Sequence, residues 1–283
     1  ADNRIPHALM LTGPEGSGNL VGAFAFIQYL FCTQKNNNDS CGVCPSCIKT
    51  SKLSHPDLHL VFPIAKSKDV KTSNDLLPEF RECFLENPYI TLHDWFNSLN
   101  AENKQPIIPT EEAGSILKKL SYTSYEGGYK VMMIWQPEKM NIESANKLLK
   151  ILEEPPEQTL FVLVCNHPEQ LLTTIISRVQ QLLFYKIDTT SIINGLVQKF
   201  GCDETLAKQA ALMCDGNYRE AQLLLQHNDE GQNFLQNFRN FMMISLNFDA
   251  AKAVTWIDDN ARTGREKQKQ FLQYGLEIFR DCL

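Results

Sequence analysis

The 283-residue sequence contains no apolar run of 18 or more residues, so it predicts no transmembrane helix. It does not open with the pattern of a signal peptide. It also has no excess of positive charge, because 27 Lys and Arg against 33 Asp and Glu leave a formal net charge of -6. Proteins that coat nucleic acid nonspecifically are normally basic. Any contact with DNA should therefore be local, or shared with partner subunits.

The sequence also lacks the pattern of a disulfide framework. Its nine cysteines are odd in number and clustered, whereas secreted disulfide scaffolds carry an even number at regular spacings. We expect a cytoplasmic protein whose thiols stay reduced.

Four of the cysteines lie in the stretch CTQKNNNDSCGVCPSC, with the spacing C-x8-C-x2-C-x2-C. Two overlapping CxxC turns bring thiolates together, and a structural zinc ion needs four such ligands in a tetrahedron. The alternatives are an iron–sulfur cluster, a CxxC redox pair or unliganded thiols. His55 is near enough to be another ligand, although four cysteines already complete a site. The predicted zinc ligands are Cys32, Cys41, Cys44 and Cys47.

The stretch LTGPEGSGNLVGA has the glycine pattern of a phosphate-binding loop but lacks the side chains that do its chemistry. Its loop glycines are Gly13, Gly16 and Gly18. Asn19 stands where a lysine would reach the β- and γ-phosphates, and Leu20 stands where a hydroxyl would bind magnesium. We therefore expect a degenerate pocket with no functional ATP or magnesium.

A hydrolysing site also needs acidic residues at the end of a neighbouring strand, to hold magnesium and orient water. The matching strand is KVMMIW, and Trp135 and Gln136 stand where the acid pair would be. Glu138, two positions later, is a weak substitute. Because three requirements fail together, we expect a protein that does not hydrolyse nucleotide. A genuine ATPase with an unusual loop is the alternative.

Short apolar runs alternate with helical stretches in residues 1–186, which predicts an α/β domain with a parallel sheet flanked by helices. Residues 66–109 are polar and turn-rich, and they predict an insertion of short surface helices anchored by Trp95 and Phe96. The predicted strands are 7–13, 57–63, 129–135, 159–165 and 179–184, with helices at 110–122 and 142–154.

The sequence after residue 186 contains no convincing strand. Residues 187–227 predict a small helical lid domain broken at Gly201 and at Gly216. Residues 228–283 predict the start of a C-terminal helical collar domain, which we expect to be partial.

The stretch ANKLLKILEEPPEQTLFVLVCNHPEQLLTTIISRVQ resembles the clamp-loader branch of the AAA+ ATPases. The LEEPP motif, the strand after it and the SRC-like SRV carry the resemblance. The four-cysteine insertion after the P-loop helix makes the chain similar to the clamp-loader subunits of bacterial DNA polymerase III. The altered glycine loop favours a non-catalytic subunit of that family over the catalytic tau/gamma subunit.

This resemblance implies a spiral of five subunits that opens a sliding clamp and loads it onto primed DNA. The implied partners are the tau/gamma ATPase subunits and the delta subunit. It also implies that Arg178, with Ser177 beside it, is an arginine finger that acts in trans on the ATP of a neighbour. Val179 replaces the cysteine of the family motif, and a buried valine there should be harmless. Without the resemblance, a surface salt bridge is the ordinary interpretation of Arg178.

Other residues in the family motifs have structural alternatives. Arg219 and Asn166 fall at the second and first sensor positions, which touch nucleotide in active subunits. With an empty pocket, a structural role for either is as good an interpretation. Glu153 and Glu154 resemble a catalytic carboxylate pair, but we expect them at a helix end before the prolines, where either can pair with Lys150.

A zinc-dependent nucleic-acid-binding module is a further alternative function. Lys35, Lys49 and Lys52 lie near the cysteines, but no aromatic residues alternate with them as a nucleic-acid surface would require. The sequence therefore gives this alternative little support.

Overall fold

The computed structural model describes residues 5–36, 39–226, 228–247 and 250–261, together with scattered positions from 264 to 279. For residues 228–236 it describes the backbone only. Two compact units form within the chain. The first runs to Ile187 and also takes in Gly216–Arg219, and the second contains the remaining C-terminal residues.

The first unit contains a five-stranded parallel sheet with the order β2-β3-β4-β1-β5. β1 leads into the glycine loop and lies between β4 and β5, so the loop emerges at the carboxyl edge of the sheet. This arrangement confirms the α/β fold predicted from the sequence, a parallel sheet flanked by helices. The strands are β1 (Ala8–Thr12), β2 (Leu58–Val61), β3 (Lys130–Trp135), β4 (Thr159–Cys165) and β5 (Gln180–Leu183).

Helices cover both faces of this sheet. On one face α1 buries Ala23 and Ile27 against β-strand residues, and on the other face Ile116 of α5 and Leu148 of α6 do the same. Burial on both faces accounts for the nearly continuous apolar runs of the central strands. The helices of this unit are α1 (Asn19–Phe31), α2 (Pro45–Ser51), α3 (Leu77–Glu86), α4 (Leu92–Ser98), α5 (Thr110–Ser121), α6 (Ile142–Glu153) and α7 (Thr173–Ile176).

Residues 66–109 are more than a surface insertion, because several of their aromatic side chains are buried in the core while many of their polar residues are exposed. Phe80 and Trp95 are fully buried in the same cluster as the sheet residues. Their rings meet edge to face at 5.3 Å, and Trp95 donates its indole N–H to the Pro63 carbonyl at 2.8 Å. Phe96 is also buried. The predicted anchors are therefore correct, and α3 and α4 form part of the cover of one sheet face.

The described part of the chain after Ile187 consists of helices joined by short turns and contains no strand. α8 ends at Gly201, whose φ of 62° suits a glycine at the left-handed end of a helix. The further division of this region at residue 227 stays a prediction. The helices are α8 (Thr189–Phe200), α9 (Glu204–Met213), α10 (Tyr218–Gln226), α11 (Asn228–Asn247) and α12 (Ala250–Ala261). Among the described helices, none has both the length and the apolar character needed to cross a bilayer.

Candidate functional site

The glycine loop has the backbone of a phosphate-binding loop. Gly16 and Gly18 adopt φ values of 74° and 82°, which L-residues with a Cβ rarely adopt. The Ser17 amide donates to the Pro14 carbonyl, and the Gly22 amide donates to the Gly18 carbonyl as α1 begins. The sequence pattern thus correctly located a tight turn that leads from β1 into a helix N-terminus.

Asn19, at the position of the missing lysine, forms hydrogen bonds with the loop and with the residue after β4. Its side chain is buried, and its Nδ2 donates to the Gly13 carbonyl at 3.4 Å and to Asn166 Oδ1 at 3.1 Å. Its Oδ1 accepts from the Leu20 amide at 2.9 Å. Leu20 points into the core cluster of the sheet. Both positions are used for internal bonding and packing.

The end of β3, where a hydrolysing site would carry its acid pair, is also held by hydrogen bonds within the protein. Trp135 is buried in the core, and the backbone N–H of Gln136, which has a φ of 55°, donates to the Val164 carbonyl. Glu138 Oε1 accepts from the amides of Asn166 and His167, at 2.9 and 3.1 Å. Asn166, at the first-sensor position, is thereby fixed between Glu138 and Asn19.

Arg219, at the second-sensor position, is paired with a residue of the 66–109 region. Its Nε and Nη2 donate to the two carboxylate oxygens of Asp94, at 2.9 and 2.7 Å. The two side chains are only 15% and 16% exposed. Burial raises the pKa of Asp94, but the Arg219 guanidinium and the Thr91 amide outweigh it and hold that pKa below its ordinary value. The Asp94 carboxyl is therefore ionised at neutral pH.

Arg178 lies on an accessible edge of the sheet, between α7 and β5. Its Nη2 donates to Glu153 Oε1 at 2.6 Å and its Nη1 to the Thr174 carbonyl at 2.9 Å. The Arg178 and Glu153 side chains are 35% and 49% exposed. Ser177, the C-cap of α7, accepts from Arg178 Nη1 at a longer 3.4 Å.

Two expectations about the surroundings of Arg178 can be compared with these contacts. Glu153 and Glu154 were expected at a helix end, and they are the last residue and the C-cap of α6. Glu153 could have paired with Lys150 there, but it pairs with Arg178 instead. Val179 is half-buried against the core cluster beneath α6, which fits the expectation of a packed valine.

The four predicted zinc ligands lie together. The sulfur atoms of Cys32, Cys41, Cys44 and Cys47 are all within 4.8 Å of one another. The cluster joins the chain after α1 to the N-terminus of α2, with Cys44 as the N-cap of that helix. Polar backbone groups point at the sulfurs: the Cys41 amide donates to Cys32 Sγ at 3.3 Å, and the Cys44 amide to Cys41 Sγ at 3.3 Å. This donor set fits a closed tetrahedral metal site.

The surroundings of the cluster favour the thiolate form of Cys32 and Cys44 and disfavour that of Cys47. The backbone N–H of Cys47 lowers the pKa of Cys44 to about 5, and the backbone N–H of Cys41 lowers the pKa of Cys32. Burial raises the pKa of Cys47 to about 12. One buried thiolate beside others is unfavourable unless a cation compensates it, which a bound metal would do.

His55 is not among the ligands. Its Nδ1 accepts from the Asp57 amide at 3.2 Å, its Nε2 lies 3.1 Å from Glu126, and its ring stacks on Phe31 at 3.9 Å. Glu126 also accepts from Ser46 and Lys49. These bonds tie helix α2 to the loop before β3, so the cysteine cluster is braced against the sheet. No local sequence pattern pointed to Glu126.

Comparison with known proteins places this site in a family. Residues 1–188 match the model of the family described as DNA polymerase III, delta subunit. The chain is 28% identical to DNA polymerase III subunit delta' of Bacillus subtilis, over 81% of this chain and 56% of that protein. It is 30% identical to the Yersinia pestis protein of the same name, over 61% and 39%.

More distant relatives carry another subunit name. DNA polymerase III subunit tau of Bacillus subtilis is 23% identical over 78% of this chain and 33% of that protein. A solved gamma-subunit-related protein of Thermotoga maritima aligns with 98% of this chain and 80% of its own, at 15% identity and a TM-score of 0.41. The chain spans roughly half, or less, of the length of the curated relatives named here. With two thirds of its residues matched by the family model, the chain belongs to the DNA polymerase III delta-subunit family, among the relatives named delta prime.

Proposed function

We propose that the chain is the non-hydrolysing delta prime subunit of a DNA polymerase III clamp loader. It supports loading of the sliding clamp onto primed DNA through the assembled complex, together with tau/gamma and delta subunits. Its membership of the DNA polymerase III delta-subunit family supports its assignment to this complex. The observation that carries the non-hydrolysing role is Asn19, which stands where the catalytic lysine should be and is buried within the loop.

Arg178 is the residue through which the subunit contributes to hydrolysis elsewhere. A finger must be permanently charged and planar, so that two N–H groups can meet the phosphate oxygens as negative charge builds on them. Arg178 has both properties and lies on an accessible edge, where its partner Glu153 is itself half exposed. An exposed ion pair is worth little in water, so a phosphate on a neighbouring subunit can replace the carboxylate at small cost.

The four cysteine thiolates hold a structural zinc ion in this proposal. Cys32, Cys41, Cys44 and Cys47 would supply all of its ligands, and the ion would supply charge compensation and no open coordination position. Its contribution is to hold α2 and its bonds to Glu126 in place. The proposed zinc has no part in the chemistry of nucleotide hydrolysis.

Reconstitution of the complex tests the role as a whole. The full-length protein is mixed with the tau/gamma and delta subunits of its own organism, and assembly is followed by gel filtration. We expect stable incorporation, clamp- and DNA-stimulated ATPase only when the protein is present, and no turnover by the protein alone. Turnover by the isolated protein that is abolished by Gly18→Ala would support the ATPase alternative. Failure to join the complex would contradict the proposed role.

A further inference from the structure

The phosphate loop is covered by a segment from 200 residues further along the chain. The Tyr218 amide donates to the Gly16 carbonyl at 3.2 Å. Asn217 lies against Gly16 so closely that a Cβ built on this glycine would come within 2.9 Å of Asn217 Cα, and nearer still to its side-chain amide. The segment itself is fixed to the end of the sheet, because the Ile187 amide donates to the Gly216 carbonyl at 3.2 Å.

The 66–109 region covers the loop from the other side. The ring of Tyr89 lies over Gly18, where a Cβ built on the glycine would meet Tyr89 Cε1 at 3.4 Å. The Tyr89 ring also contacts the Tyr218 ring, with centroids 4.6 Å apart. The two-point ion pair of Arg219 with Asp94 joins the segment to α4. Asp94 is held in place in turn, because it accepts from the amide and the hydroxyl of Thr91.

We propose that these five residues form a latch that closes the phosphate loop and fixes segment 216–219 on it without any ligand. The latch consists of Tyr89, Asp94, Asn217, Tyr218 and Arg219. Arg219 is the cation of segment 216–219 beside the loop, and Asp94 compensates its charge. The region 66–109 thereby gains a role beyond packing, because it supplies the anion and one aromatic ring.

The contacts of the latch show how the loop is covered without a ligand. In this chain the Tyr218 amide, the Asn217 side chain and the Tyr89 ring meet the loop, and the Tyr218 ring packs on the Tyr89 ring. A largely buried bidentate arginine–carboxylate pair is geometrically demanding and costly to break from one side. The closed state should therefore persist in the free protein.

Hydrogen–deuterium exchange on the full-length protein tests the latch without nucleotide. Arg219→Ala removes the ion pair, and Tyr89→Ala removes the ring from the opposite side. In both variants we expect peptides covering residues 13–20 and 216–220 to exchange on the order of tenfold faster. Local opening of these segments costs less free energy there, because one of the latch contacts is already missing. Lys66→Ala is the matched control. It breaks the exposed Lys66–Glu111 pair of the same region and should leave both peptides unchanged.

Arg219→Lys adds a test of geometry, since lysine keeps the charge but cannot donate from two nitrogens in a plane. It should give an exchange rate between those of the wild type and Arg219→Ala. If Arg219→Ala does not fold, Tyr89→Ala decides the matter. Unchanged exchange in a folded Tyr89→Ala or Arg219→Ala protein would remove the latch and leave the proposed function untouched. Hydrolysis of ATP by the wild type would contradict the proposed function, whereas the latch is judged by the exchange rates alone.

Discussion

The Arg178 guanidinium is bonded to the Glu153 carboxylate over 2.6 Å, which joins the end of α7 to the end of α6. Glu153 belongs to the LEEPP stretch and Arg178 to the SRV stretch, so two motifs 25 residues apart meet through one ion pair. The paired Arg178 side chain stays 35% exposed. It also means that a finger must leave Glu153 before it can reach a phosphate.

Glu153→Gln separates the structural from the functional role of Arg178. Because the pair is exposed, its loss should lower the free energy of unfolding by less than about 1 kcal/mol. The assembled complex should keep its ATPase activity, since the released arginine can still reach the neighbouring site. Thermal melts and ATPase assays on one preparation check both statements. A loss of ATPase equal to that of Arg178→Ala would indicate that only the ion pair matters.

Asn19→Lys should not restore an ATPase. The side chain at this position is buried between Gly13 and Asn166, so a lysine ammonium would lose hydration without gaining a carboxylate partner. We expect the melting temperature to fall by several degrees, for a loss of roughly 1–3 kcal/mol. Asn19→Asp, which keeps the size of the side chain, is the control for volume. Magnesium-dependent ATP turnover by Asn19→Lys would contradict this prediction, because it would show that the missing lysine alone prevents hydrolysis.

Cys44→Ser should remove the metal and destabilise the protein. Elemental analysis of wild-type protein should give about one zinc per chain, and the variant should give much less. Because the cluster holds α2 in place, the melting temperature should fall by on the order of 10 °C. Cys83→Ser, outside the cluster, should keep the zinc. Iron in place of zinc, or full stability after chelation, would contradict the structural zinc site.

His59 should make the protein sensitive to mild acid. Burial, reinforced by the charge of Lys119, lowers the pKa of His59 to about 4, against 6.5 in an unfolded chain. Between these values the unfolded chain binds a proton that the folded chain does not, so stability falls as pH decreases from about 6.5 to about 4 and the loss is complete below that.

The matching variant is His59→Gln, compared with His93→Gln at an exposed position. Urea unfolding at pH 7 and pH 4.5 should show that His59→Gln loses less stability on acidification than the wild type, by on the order of 2 kcal/mol. His93→Gln should follow the wild type. Equal pH slopes for all three proteins would rule out His59 as the group responsible.

The sequence allowed prediction of those features that depend on local spacing. Apolar runs located all five strands, and the C-x8-C-x2-C-x2-C spacing located four sulfurs that the fold brings within 4.8 Å. The absence of the lysine and of the acid pair could be read directly from the residues at the motif positions. Each of these signals lies within one short stretch, so no knowledge of tertiary contacts was needed.

What was missed depends on contacts between distant residues. Asp94 could be identified locally as part of a capping box with Thr91, but its pairing with Arg219, 125 residues away, has no local signal. Polar composition made residues 66–109 resemble a surface insertion, whereas a few aromatic residues decide their burial. Glu153 paired with Arg178 and not with Lys150, because tertiary contact overrode the helical spacing rule.

The most direct test of the account is Arg178→Ala in the assembled clamp loader, with assembly and ATPase measured on the same sample. We predict a folded subunit, full incorporation and a partial loss of the clamp- and DNA-stimulated rate. At the one site served by the finger the loss should be on the order of 10³–10⁵, while sites with other fingers continue to turn over. Arg178→Lys should rescue poorly. Normal ATPase in a complex that has fully incorporated Arg178→Ala would contradict the account.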